Sequence, residues 1–279
     1  MIVKVQVRCP SCDNRGTIEV EDKLITNSSR GITAINVLEN IVCKHSFVVY
    51  IDTNRTVRDS FICDFKIELP QFDSKQIPES PILEHSLDID LIKINLTPSL
   101  LAHILKGLYF GKKIVVLIDE EFLYNQYISF FNYVTEDTFE MDIHFIAQKE
   151  YDDHKKQYKK DLVLDGKEIL NDKDDLMEQN KIDIENVIVQ KFFAEYDSEK
   201  SLILIKNEFQ KAYFLSKAIS EYLKNSKNLD VKTLTDYLKE EVHAIKITPY
   251  YLKLLLDIVE HYFKTKIPYS MKLTLKMLF

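Results

Sequence analysis

The chain has 279 residues, 46% of them hydrophobic, with 37 Lys and Arg against 44 Asp and Glu and a formal charge of -7. That is an ordinary globular composition with enough apolar material for a sizeable core, on a length more comfortable for two domains than one. The acid excess argues against a surface that is wholly a nucleic-acid footprint. No apolar run is long enough to span a bilayer.

The first residues, Met1 to Arg8, alternate as a strand does and lack the apolar centre of a signal peptide. All four cysteines fall in the first quarter, two of them as Cys9-Pro10-Ser11-Cys12. This usage predicts a reducing, cytoplasmic setting rather than a disulfide framework. Cys43-Lys44-His45 follows about thirty residues later. Two close pairs of thiolate and imidazole donors on short turns are what a tetrahedral structural zinc requires, so Cys9, Cys12, Cys43 and His45 form the expected Zn2+ site. Cys63 competes with His45 for the fourth position. His45 is preferred because it stands one residue from Cys43, at the start of an apolar strand. A redox reading of Cys9 and Cys12 fits less well, since Val3, Val5 and Val7 before them and Thr17, Ile18 and Val20 after them predict a β-hairpin rather than a strand–helix junction. Pro10, Asp13, Asn14 and Gly16 are turn formers, and Gly16 is the natural residue for a positive φ at such a tip.

Arg30 to Val37 fits either a strand or a short helix. Phe47 to Ile51 and Thr56 to Ile62, on either side of Asp52-Thr53-Asn54-Arg55, predict a second hairpin. Residues 1–70 thus read as a small β-rich domain that zinc would stabilise, because metal binding at a structural site is folding free energy. The Pro- and Ser-containing stretch 71–86 reads as a linker. Residues 87–175 alternate strand and helix. Leu87 to Ile94 suggests a strand, Thr97-Pro98 opens a helix, and Lys113 to Ile118 has the continuous apolar pattern of a parallel strand covered on both faces. Residues 176–279 turn helical over 184–192, 202–223, 233–242 and 249–263. The tail beyond Tyr262, with Lys264, Lys266, Lys272 and Lys276 among apolar residues, suggests an edge strand or docking segment, or a basic amphipathic contact with a membrane surface. The predicted fold class is mixed α+β and α/β: a small zinc-stabilised β-rich N-terminal domain, then an α/β domain with a mainly parallel sheet and a helical C-terminal part.

Catalytic patterns are fragmentary. Asp119-Glu120-Glu121 follows an apolar strand as a Mg2+-binding acid does, but Gly107 to Lys113 lacks the spacing and the Ser or Thr of a phosphate loop. Asp119 and Asp165 stand at strand ends where ligands of parallel sheets bind, and where helix-capping acids also occur. His144 and His154, with Asp142, Asp152 and Asp153, offer a second donor set. Lys155, Lys156, Lys159 and Lys160 form a basic run around Tyr158, while residues 1–70 hold nine basic and nine acidic residues, no excess for a phosphate backbone.

The donor pairs in Cys9-Pro-Ser-Cys12 and Cys43-Lys-His45-Ser46-Phe47, the hairpin that follows and the run Asp161-Leu-Val-Leu-Asp165-Gly166 resemble a group of uncharacterised zinc-knuckle, zinc-ribbon-like proteins of Asgard archaea, most specifically over residues 1–70. The resemblance implies a cytosolic protein of a lineage rich in small GTPases, membrane-remodelling factors and regulatory adaptors, and it transfers no catalytic residue. The expectation is therefore a zinc-stabilised adaptor for protein–protein interaction in a regulatory or membrane-associated assembly. A metal-dependent hydrolase or nucleotide-binding regulator working at Asp119 and Asp165 is the alternative, and a nucleic-acid-associated zinc protein the weaker one.

Overall fold

The computed structural model describes residues 1–26, 28, 31–62, 69, 71–72, 87–175, 177, 183–225, 230–240, 242, 244–245 and 247–277. Strands β1 (Ile2–Arg8) and β2 (Arg15–Glu21) form an antiparallel hairpin in which Arg8 faces Arg15. Alternation sends Val5, Val7, Ile18 and Val20 to one buried face. After the short helix α1 (Asp22–Thr26) come β3 (Ile32–Val37), β4 (Phe47–Asp52) and β5 (Val57–Ile62), an antiparallel sheet in the order β3-β4-β5. The segment that fitted either strand or helix is thus the strand β3. The β4–β5 turn is fixed by Asp52, whose Oδ1 accepts the N–H groups of Asn54 (2.9 Å) and Thr56 (2.8 Å), with Arg55 at φ 64.

Strand β4 is apolar from Phe47 to Ile51 because both its faces are covered there. Phe47, Val49 and Ile51 pack with Val5, Val7, Ile18 and Val20 in a small core under the hairpin. Val48 and Tyr50, with Phe61, join the large core of the helices. Tyr50 meets Phe193 edge-on, with ring centroids 5.4 Å apart.

Of the stretch expected as a linker, Gln71–Phe72 form a two-residue strand, β6; residues 73–86 lie outside the described residues. The strand expected from Leu87 is instead the helix α2 (Ile89–Asn95). Asp88 caps it by accepting the Leu91 N–H at 2.9 Å, and Ile89, Ile92 and Leu96 recur at helical spacing on its buried face. The alternation of Leu87, Ile89 and Leu91 misled because Ile92, which a strand would turn to the opposite face, is buried together with Ile89 and Leu96. Helix α3 (Pro98–Tyr109) starts as its sequence predicts, with Thr97 as N-cap and Pro98 in the first turn.

Strands β7 (Ile114–Leu117), β8 (Ile143–Ile146), β9 (Leu162–Asp165) and β10 (Glu168–Asn171) form one sheet in the order β10-β9-β7-β8. β7 is parallel to β8 and β9, whereas β10 folds back antiparallel on β9 through a turn with Gly166 at φ 54. Helix α4 (Tyr124–Thr135) covers one face, and α5 (Gln148–His154), through Tyr151, the other.

The remainder is helical: α6 (Asp183–Ala194), α7 (Ser198–Asn225), α8 (Val231–Glu240), α9 (Pro249–His261) and α10 (Tyr269–Met277), with the short strand β11 (Ala244–Ile245) pairing β6. The tail, expected as an edge strand or docking segment or as a basic amphipathic contact, holds the helix α10 and not a strand over 269–277, anchored by buried Met271 and by Lys272, which reaches both Glu260 oxygens at 2.6 Å. Inside this body Lys106 and Glu185 form an ion pair at 3.0 Å, each almost fully enclosed. Among the described residues no helix is long and apolar enough to cross a membrane.

Candidate metal centre

The hairpin loop between β1 and β2 is a tight turn. Cys9 N–H donates to Asn14 O at 2.9 Å, Asp13 N–H to Cys9 O at 3.0 Å, and Asp13 takes φ 60 with its carboxylate on Arg8 at 2.8 Å. The positive φ expected at Gly16 therefore belongs to Asp13. Gly16 has a different reason to lack a side chain: an added Cβ would sit 2.9 Å from Val42 Cγ2 on the facing turn. That second turn, between β3 and β4, closes with Asn40 at φ 70 and its N–H on Cys43 O at 2.7 Å.

These two turns bring Cys9, Cys12, Cys43 and His45 together, with one donor atom from each lying within 4.8 Å of all the others. His45 Nδ1 is 3.7 Å from Cys9 Sγ and 3.6 Å from Cys43 Sγ. Bond lengths at tetrahedral zinc give edges of about 3.6 Å between sulfur and nitrogen, which these two distances match. His45 Nε2 turns the other way, 3.5 Å from Ser11 Oγ, which leaves Nδ1 as the metal-facing nitrogen. Cys9, Cys12 and Cys43 are free thiols.

Backbone N–H groups are aimed at the sulfurs in the same way on both turns. Ser11 N–H reaches Cys9 Sγ, and His45 N–H reaches Cys43 Sγ, each at 3.4 Å. Such donors favour thiolate, the form that binds metal. Burial opposes this at Cys9, but the N–H groups of Ser11 and Cys12 and the neighbouring thiols outweigh it and hold the thiol below its ordinary value. At Cys43 the His45 N–H acts in the same sense, while burial and the adjacent Cys9 and Cys12 sulfurs push the thiol up. The Cys9 and Cys43 sulfurs thus resist ionising together, and a dication beside them would neutralise that charge. The donor set and its spacing fit a tetrahedral metal held entirely by protein ligands.

Compared with protein-family models, curated proteins and solved structures, the chain matches none.

Cys63, the rival fourth ligand, lies outside the described residues. Asp119 follows β7 and accepts the Gln148 N–H at 3.0 Å, so it caps the first turn of α5. Asp165 ends β9 at the exposed β9–β10 turn. His144 is exposed on β8 and paired with Asp142 at 3.0 Å, while His154 faces the Glu150 carbonyl at 3.1 Å. Among the described residues, the group of three or more donors close enough to share a metal is the Cys9 to His45 set, and these acids and histidines form no second one. Lys155, Lys156, Lys159 and Lys160 are exposed in the turns after α5.

Sequence reasoning missed two residues. Ser11 stands inside the Cys-x-x-Cys spacing, where its hydroxyl could have been read as a partner for the imidazole. Asp59 gave no signal. It is buried, its Oδ2 accepts the Ser99 N–H (2.8 Å), and its Oδ1 accepts the Ser99 hydroxyl (3.0 Å) and the Ser60 N–H (2.8 Å). It therefore joins β5 to the first turn of α3. Burial pushes its carboxyl up, against the pull of these donors.

Proposed function

We propose that this chain is a zinc-stabilised binding protein, an intracellular adaptor whose N-terminal turns are held in shape by one Zn2+ on Cys9, Cys12, Cys43 and His45. The observation that carries this reading is the closed donor set: all four tetrahedral positions come from the protein, which is the mark of a structural rather than a catalytic site. Zinc is the metal that best fits three thiolates and an imidazole without redox chemistry. In this reading residues 1–70 are the zinc-knuckle domain, 71–86 a linker, 87–175 an α/β domain and 176–279 a helical part packed on it, in keeping with the resemblance to the Asgard zinc-knuckle group. The partner is a protein, met in a regulatory or membrane-associated assembly, and α10, with Tyr269 and Leu273 exposed, offers the surface for membrane contact.

The hydrolase or nucleotide-regulator reading draws less support, because the carboxylate it relies on at Asp119 is occupied by a helix N-terminus. Metal analysis of protein purified without added metal tests the reading. One zinc per chain is expected, lost in His45→Ala and kept in Cys63→Ala. Turnover of nucleotides or phosphoesters that Asp119→Asn abolishes would overturn it in favour of an enzyme.

A further inference from the structure

Where α3, α6, α7 and α9 pack together in the large core, four polar atoms are enclosed without a hydrogen-bond partner among the described residues. They are Tyr109 Oη on α3, Glu185 Oε1 on α6, Glu208 Oε2 on α7 and Tyr251 Oη on α9. All four side chains are buried, the two tyrosines completely. Burial pushes both phenols well above their ordinary value. Tyr251, Glu185 and Glu208 add to this at Tyr109, and Glu208 and Glu185 at Tyr251, so each hydroxyl lies within electrostatic reach of both carboxylates and keeps its proton. Tyr109 is stacked on Phe209, with ring centroids 4.8 Å apart, and meets Phe139 edge-on at 5.3 Å, so its hydroxyl is not free to turn towards another partner. Two O–H donors and two carboxylate oxygens thus converge unmet on one contact between four helices. Enclosed polar atoms left in that state are costly, and native interiors satisfy nearly all of them with protein groups or with ordered water.

The charges decide what kind of ligand fits there. Glu185 Oε1 lies 3.0 Å from Lys106 Nζ, close enough to balance its charge but out of line for a hydrogen bond. Glu208 is paired through its other oxygen with Lys211, at 2.6 Å. Asp257, the further acid that acts on Glu185, has Lys253 at 2.8 Å. Each acid has its own cation, so the contact calls for neither an added anion nor an added cation. A neutral ligand must accept from the phenols and donate to the carboxylates. Water, with two lone pairs and two hydrogens, is the smallest molecule that does both, and internal waters characteristically take two to four such partners.

We propose that α3, α6, α7 and α9 are joined through ordered internal water, bound by the hydroxyls of Tyr109 and Tyr251 and the carboxylates of Glu185 and Glu208. The site is remote in sequence from the metal ligands and goes beyond the adaptor reading, on which it does not depend. It gives the helical body a polar centre whose members come from four different helices and are matched as donors and acceptors, so water completes the packing of these helices where their side chains alone do not.

Two measurements on the full chain test this. In its crystals, a water oxygen is expected within hydrogen-bonding distance of at least one of the two hydroxyls and one of the two carboxylates. Hydroxyls bonded directly to the carboxylates, or no water density beside them, would overturn the proposal. In solution, oxygen-17 magnetic relaxation dispersion counts water held longer than the protein takes to tumble. Tyr109→Phe with Tyr251→Phe keeps both rings, and the stack on Phe209, while removing both O–H donors. The dispersion amplitude of this double variant should fall by about one long-lived water or more, whereas exposed Tyr269→Phe should leave it unchanged. An amplitude in the double variant equal to that of wild type would overturn the proposal. The crystal measurement uses wild-type protein, so it decides the matter even where the double variant does not fold.

Discussion

Gly16→Ala should weaken metal binding although residue 16 touches no ligand. A Cβ there would lie 2.9 Å from Val42 Cγ2, 3.0 Å from Val42 Cγ1 and 3.2 Å from Val42 Cβ. Ordinary carbon contacts begin at about 3.5 Å, so relief needs a movement of about half an ångström. Val42 directly precedes Cys43, and the simplest relief carries that ligand away from Cys9 and Cys12. Overpacking of this kind costs about 1–3 kcal/mol. If it is expressed wholly in the metal-bound state, affinity falls between about fivefold and about 150-fold. The assay is chelator competition at fixed pH on wild type, Gly16→Ala, Val42→Ala and the double variant. Val42→Ala removes both Cγ atoms and leaves only the 3.2 Å approach, so the double variant should recover most of the affinity lost by Gly16→Ala. A Gly16→Ala protein with wild-type affinity, or one that Val42→Ala fails to rescue, would refute the idea that packing between the two turns sets the ligand geometry.

Three further outcomes are expected. Lys106→Ala leaves Glu185 enclosed without its cation and should cost about 3–5 kcal/mol by urea unfolding, whereas Lys106→Met with Glu185→Leu should recover most of it. His103 is pushed below its usual range by burial, and its Nδ1 has no hydrogen-bond partner among the described residues. The unfolded chain therefore takes up the proton first as pH falls. The stability that His103 contributes is full above the ordinary imidazole value and is lost as pH falls through the depressed one, so His103→Leu should flatten the acid limb of stability against pH relative to wild type. Asp119→Ala frees the Gln148 N–H at the start of α5 and should lower stability by about 0.5–2 kcal/mol, read by thermal unfolding.

The clustering of Cys9, Cys12, Cys43 and His45 was legible because its chemistry is local: Cys-x-x-Cys and Cys-x-His each fit on one turn, and few other uses explain both. Thr97-Pro98 was legible for the same reason, as was the doubly buried run in β7. Leu87 to Ile94 was not, because a short apolar segment satisfies two periods at once. The choice between strand and helix there fell to Asp88, which caps Leu91, and to which neighbours cover Ile89 and Ile92. Gly16 was read as a conformational residue when its constraint is the approach of Val42, a contact between segments 26 positions apart that no local pattern encodes. Asp59 was silent because its partner, Ser99, is 40 residues away.

β4 links the metal centre to the rest of the molecule. Its odd and even residues serve different cores: Phe47, Val49 and Ile51 need the β1–β2 hairpin as their cover, while Val48 and Tyr50 are covered by the helices. β5 is held independently, through Asp59 on Ser99 and through the Ile62 carbonyl, which accepts the Asn186 side-chain N–H at 2.8 Å. Loss of the metal therefore removes the closure of the two turns without removing what holds β4 and β5 to the helical body. Chelation should raise amide exchange first in residues 1–21 and 38–46, which border only the smaller core, while the amides of α3, α6 and α7 keep their protection. Simultaneous loss of protection in both groups would mean instead that β4 transmits the disruption from one face to the other, and that the metal-site turns and the helical body unfold as one unit.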